Sequence, residues 1–81
     1  MAQQTVTNLT EMRAGEAGVI IEFTGGHKMA SRLQSMGMRP GKKIIKVSSH
    51  FWQGPQTVEI ENIQLAIGFG MAKKIFVKVE R

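Results

Sequence analysis

Gly26-His27-Lys28-Met29-Ala30-Ser31-Arg32-Leu33-Gln34-Ser35-Met36-Gly37-Met38-Arg39-Pro40-Gly41 reads as a short amphipathic helix, a glycine stop and a tight turn into a strand. Met29, Leu33 and Met36 recur at the i, i+4, i+7 spacing of one helix face. Gly37 follows directly and can take the left-handed conformation that ends a helix. Pro40-Gly41 then supplies a turn signal. Both sides of this segment read as strand, so the chain is one small helix set among short strands.

Working outward, Val19–Phe23 is a β-branched run that predicts the first strand. Val19, Ile21 and Phe23 are expected inward and Glu22 outward, with Ile20 out of phase. Leu9 and Met12, three apart and ahead of Gly15, suggest one helical turn closing an open end of the core, with Thr7 or Asn8 as its cap. Lys43–Ser49 predicts the second strand: Ile45 and Val47 inward, Lys46 exposed, Ile44 ambiguous. A loop from His50 to Gln56 turns at Gly54-Pro55. Thr57–Glu61 alternates cleanly, Val58 and Ile60 inward against Glu59 and Glu61. Asn62 marks a turn into Ile63–Ile67, and Gly68–Ala72 reads as a helical turn whose Phe69 and Met71 fill the core. Ile75, Val77 and Val79 alternate in the last strand. The expectation is a mainly β protein, a small five-stranded barrel with one short α-helix between the first two strands. Residues 1–6 are expected as a flexible N-terminal tail and residues 7–81 as a single domain.

The 81 residues hold no cysteine, which excludes disulfides and thiolate metal sites. No apolar run is long enough to cross a bilayer, and MAQQTVTNLT lacks the charged start and apolar segment of a signal peptide. The sequence therefore predicts a soluble protein with no membrane insertion. Eleven Lys and Arg against six acidic residues give a net charge of +5. No acid lies between Phe23 and Val58, whereas Lys28, Arg32, Arg39, Lys42, Lys43 and Lys46 all fall there. That side is expected to carry a positive potential and to favour acidic partners.

Reactive groups do not converge in this sequence. There is no Cys, Asp or Tyr, and the only histidines are His27 and His50. Ser48, Ser49 and His50 are neighbours, but adjacent residues of a strand point to opposite faces, and no acid stands near to orient the histidine. The sequence predicts no enzyme and no cofactor. Glu22 and His27 could share a metal, yet no ligand-spaced cluster surrounds them. Phe51-Trp52, two large aromatics in a loop, are the better candidates for contact with a partner or a sister subunit. The predicted partner-binding residues are Lys28, Arg32, Arg39, Lys43, Phe51 and Trp52.

The chain resembles the FeoA family from Leu9 to Val79. The specific part is Arg32-Leu33-Gln34-Ser35-Met36-Gly37-Met38-Arg39-Pro40-Gly41. Leu9-Thr10-Glu11-Met12, Gly15, Gly18-Val19-Ile20, Val58-Glu59-Ile60, Leu65-Ala66-Ile67, Met71-Ala72 and Ile75-Phe76-Val77 follow in the family order. Departures fall at His50-Phe51-Trp52-Gln53, where the family carries small, proline-rich residues, and at Gly68-Phe69-Gly70, where it carries an arginine and an acid. The resemblance implies an SH3-like barrel and a cytoplasmic, non-catalytic accessory protein of bacterial ferrous-iron uptake. It implies protein–protein interaction with the cytoplasmic part of the transporter FeoB. Two other readings rest on the residues themselves. A small basic barrel with exposed aromatics could bind nucleic acid, although the aromatics do not alternate with the basic residues. Open strand edges or the aromatic loop could make the chain a self-associating homo-oligomer.

Overall fold

The computed structural model describes residues 3–49 and 53–81. In chain order the elements are β1 (Gln4–Asn8), a 3₁₀ turn (Leu9–Glu11), β2 (Ala17–Phe23), α1 (His27–Ser35), β3 (Lys43–Ser49), β4 (Gln56–Ile60), β5 (Ile63–Ile67), α2 (Phe69–Ala72) and β6 (Ile75–Glu80). The strands form one antiparallel sheet in the order β1-β6-β2-β3-β4-β5. Ile67 of β5 and Val79 of β6 belong to the same buried cluster although their strands stand well apart in that order. The sheet is therefore rolled around a single core, as in an SH3-like barrel.

The helix ends as its sequence predicts. The Gly37 amide donates to the Gln34 carbonyl at 2.9 Å, and the Met38 amide reaches back to Leu33 at 3.0 Å. With Gly37 at φ +90 this is a Schellman stop. Leu33 and Met38, the positions whose apolar side chains usually accompany such a stop, are both fully buried in the core cluster. The Lys42 amide then donates to the Arg39 carbonyl at 3.1 Å across Pro40-Gly41, with Gly41 at φ +95, which is the type II turn that Pro-Gly favours. Glu61-Asn62, both at positive φ, close the two-residue β4–β5 hairpin.

Three expectations are corrected. The tail ends earlier than predicted: Gln4 onward lies in β1, a sixth strand paired with β6 and fixed by reciprocal Gln3–Arg81 backbone bonds of 3.0 and 2.8 Å. In β2 the inward residues are Gly18 and Ile20, while Val19 is 40% exposed. The register explains this, because Ile20 pairs with Val77 and Glu22 with Phe76, leaving Ile21 as a bulge. The extra residue flips the alternation, so Phe23 faces in beyond the bulge as expected. The same happens in β3, where Val47 is the extra residue between Lys46, opposite Val58, and Ser48, opposite Thr57. There Ile44 is buried, Ile45 is 37% exposed, and Lys46, expected outside, is completely buried. Met71 packs against the core and Phe69 is half-buried beneath the Lys73 ammonium, 5.8 Å from the ring centre.

Lys46 is the polar centre of this core. Its Nζ donates to the carbonyls of Leu9 (2.7 Å) and Met12 (3.2 Å). These are carbonyls of the 3₁₀ segment, capped at its start by the Asn8 carboxamide, which accepts from the Thr10 amide at 2.9 Å. The Lys46 backbone also pairs with this segment's exit: Gly15 donates to its carbonyl at 2.7 Å, and its amide donates to Glu16 at 2.8 Å. One residue thus fixes the plug over the barrel end through both side chain and backbone. Desolvation pulls its ammonium pKa below the usual lysine value, partly opposed by the charges of Glu11 and Glu16.

The two ends of the domain are clamped together. Arg81 Nε and Nη2 donate to the two carboxylate oxygens of Glu16 at 2.9 Å each, and Nη2 also reaches the Glu11 carbonyl at 3.0 Å. Arg81, and then the Arg13 amide, hold the Glu16 carboxyl at about 2. A carboxyl lowered on folding stabilises the fold above its unfolded pKa and loses that contribution as pH falls through its folded one. In urea titrations the advantage of the wild type over Glu16→Gln is therefore expected to be full above about pH 5 and to vanish towards pH 2.

Candidate functional site

The predicted contact residues lie mainly on the run from α1 through the Pro40-Gly41 turn to the start of β3. Met29, Leu33 and Met36 turn to the core. Lys28 and Arg32, one helical turn apart, are therefore left exposed on the outer face of α1. Arg39 is exposed in the turn. Lys43 opens β3 on the outer face of the sheet, opposite Val19, which itself stands opposite Lys78. Phe51 and Trp52, with His50, lie outside the described residues.

Of the basic residues in the acid-free stretch, two are withdrawn from this surface. Lys46 is in the core. Lys42 is salt-bridged to Glu61, whose carboxyl pKa is lowered chiefly by that hydrogen bond, with a further contribution from the charge of Arg39. Lys28, Arg32, Arg39 and Lys43 have no salt-bridge partner among the described residues. They are carried on consecutive elements, and no hydrogen bond joins them to one another. Lys28 sits in the first turn of a helix that has no acid there and no side-chain cap at Gly26. That is an unfavourable place for a cation, and it raises the local positive potential.

Two hollows border Lys43. One of about 540 Å³ runs along β2, with Ala17, Gly18 and Val19 as its floor and Lys43, Lys78 and Glu80 at its sides. A Cβ at Gly18 would point to the core side, 2.9 Å from Val79 Cγ1 and 3.1 Å from the Lys78 carbonyl, so glycine lets β2 lie close against β6 there. A second, of about 310 Å³, lies among Lys42, Lys43, Ile45, Glu59 and Glu61. Lys78 belongs to this outer face and was missed in the sequence, because only the β2–β6 register places it beside Val19 and Lys43.

Exposed cations of this kind attract acidic groups. The displaced pKa values of Glu16, Lys46, Glu61 and Arg81 each trace to a structural partner or to burial. His27 is exposed at the first residue of α1. Among the described residues no group of three or more His, Cys, Asp or Glu side chains is placed to hold a metal ion. No helix among them is long and apolar enough to cross a membrane.

The FeoA domain pattern matches residues 7–79. A crystal structure of an iron uptake regulatory protein (FeoA) is similar at 35% identity and a TM-score of 0.82, covering 91% of this chain and 97% of the other. The solution structure of a FeoA-like protein from Clostridium acetobutylicum aligns at 20% identity and a TM-score of 0.80, over 91% of this chain and 86% of that one. A manganese-dependent transcriptional repressor shares the fold at 19% identity and a TM-score of 0.83, covering 98% of this chain but 44% of its own. No curated protein sequence matches the chain.

Proposed function

The chain belongs to the FeoA family of ferrous-iron transport accessory proteins, and from that premise we propose that it is a cytoplasmic, non-catalytic accessory protein that docks on the cytoplasmic part of the FeoB transporter. The observation that carries the reading is the set of exposed cations Lys28, Arg32, Arg39 and Lys43, unpaired among the described residues on one continuous stretch of chain. Such a surface accelerates encounter with an acidic partner and fixes its orientation. Phe51 and Trp52 supply the apolar anchor that cations alone lack, since truncating an interface tryptophan often costs about 2 kcal/mol or more.

Affinity of the purified transporter domain for the wild type is expected to exceed that for Lys28→Glu/Arg32→Glu by about tenfold at low salt, the gap narrowing as ionic strength rises. Both side chains are exposed, so thermal melts of the variant should match the wild type. Equal affinities would move the docking surface off α1. Tight binding of single-stranded DNA with a steep salt slope would favour the nucleic-acid reading instead.

A further inference from the structure

β5 is an edge strand whose outer side has no strand partner among the described residues. Edge strands of soluble proteins are usually blunted by charge, proline or a bulge. β5 has none of these, and the chain is uncharged from Asn62 through Ala72. Ile63 is 60% exposed, the highest value among the exposed large hydrophobic residues described.

The hairpin decides which backbone groups are free. Ile60 and Ile63 flank the two-residue turn and form its hydrogen-bonded pair. Bonded pairs alternate along an antiparallel ladder, so Ile63, Leu65 and Ile67 point their N–H and C=O groups at β4. Gln64 and Ala66 therefore direct theirs outward, and both residues are exposed.

We propose that β5 pairs antiparallel with β5 of a second copy of this chain, about a two-fold axis through Leu65. In that register Gln64 faces the partner's Ala66 and exchanges both backbone hydrogen bonds with it, and Leu65 meets its own copy in a close, non-bonded pair. Charge selects the occupant. Two copies of a chain of net charge +5 repel over most approaches, and β5 offers them an uncharged strand. The nearest charge in the ladder is Glu59, opposite Gln64. Across the dimer it stands three strand spacings, roughly 14 Å, from its copy, beyond the screening length of about 8 Å at physiological salt. β1, the other edge, is polar by comparison (Gln-Thr-Val-Thr-Asn), and its ladder partner places Lys78 beside Val6. The β5 pairing closes as a dimer, whereas pairing β5 of one copy with β1 of the next would propagate. This inference does not depend on the transporter reading.

Sedimentation equilibrium from about 1 μM to 1 mM, a span of about 4 kcal/mol in association free energy, tests the proposal. The wild type is expected to shift reversibly from monomer to dimer. Gln64→Lys/Ala66→Lys sets lysine against lysine across the two-fold and is expected to weaken the dimer at least tenfold. Gln64→Lys/Ala66→Glu sets lysine against glutamate and restores it. All three should melt alike, because both side chains are exposed on the outer face. A wild type that stays monomeric throughout, assembles beyond the dimer, or dimerises equally well in the double-lysine variant overturns the proposal.

Discussion

Leu33→Asp is expected to abolish folding. Leu33 is the fully buried residue of α1, and its carbonyl accepts the Met38 amide that stops the helix. Burying a leucine contributes about 2 kcal/mol, and an unpaired carboxylate in its place adds a desolvation penalty of several more. A domain of this size is stable by roughly 4–12 kcal/mol in all, so the loss consumes most or all of that margin. Near-UV circular dichroism and a urea titration check it. The expected result is no cooperative transition, and a variant retaining even half of the wild-type stability would contradict the packing described.

Lys46→Ala is the second large loss. The substitution removes both hydrogen bonds to Leu9 and Met12 and leaves a cavity under the 3₁₀ turn. About 3–5 kcal/mol of stability is expected to go, from the cavity and from the lost ammonium bonds, the Leu9 carbonyl keeping only the 3.3 Å bond from the Met12 amide. Lys46→Met refills the space and is expected to recover a substantial part. The two variants are to be compared by urea unfolding. A pH series then isolates the ammonium. Because folding lowers its pKa, the unfolded chain binds more protons in the alkaline range below the ordinary lysine value. The wild type should gain on Lys46→Met as pH rises through that range. A flat difference would mean that the lysine is not desolvated.

Lys46 also marks the limit of what the sequence makes legible. The helix stop was readable because all its determinants are local: an apolar spacing, Gly37, and Pro40-Gly41 close behind. The last strand was readable because Ile75, Val77 and Val79 alternate without interruption, and they are buried as expected. A bulge is different. Ile21 and Val47 look like ordinary strand residues, and only their partners in β6 and β4 show that one residue is extra. In β2 the consecutive apolar residues Ile20-Ile21 were the trace of it, since they do not fit strict alternation; in β3 the pair Ile44-Ile45 lies ahead of the bulge and gives no sign of it. The burial of Lys46 had no local signal, because its acceptors lie 37 and 34 residues away in sequence. β1 was missed for a related reason: Gln4-Thr5-Val6-Thr7-Asn8 carries a single apolar residue, and β6 supplies the pairing that makes it a strand.

The candidate surface was legible to the same extent. Exposure of Lys28 and Arg32 follows from the helix period alone. Withdrawal of Lys42 by Glu61, 19 residues away, and of Lys46 by the core required the fold. What remained after those subtractions is the set of cations that sequence reasoning had named, joined by Lys78 across the sheet. Gly68-Phe69-Gly70, a departure from the family pattern, extends the uncharged stretch beyond β5, and so bears on self-pairing as much as on a transporter contact.

The most direct measurement is a calorimetric titration of the purified protein into the cytoplasmic part of the FeoB transporter from the same organism, with no nucleotide, with GDP and with a non-hydrolysable GTP analogue. Saturable binding in at least one of these states is the predicted result. No binding in any of them, by a protein shown to be folded, would contradict the docking role.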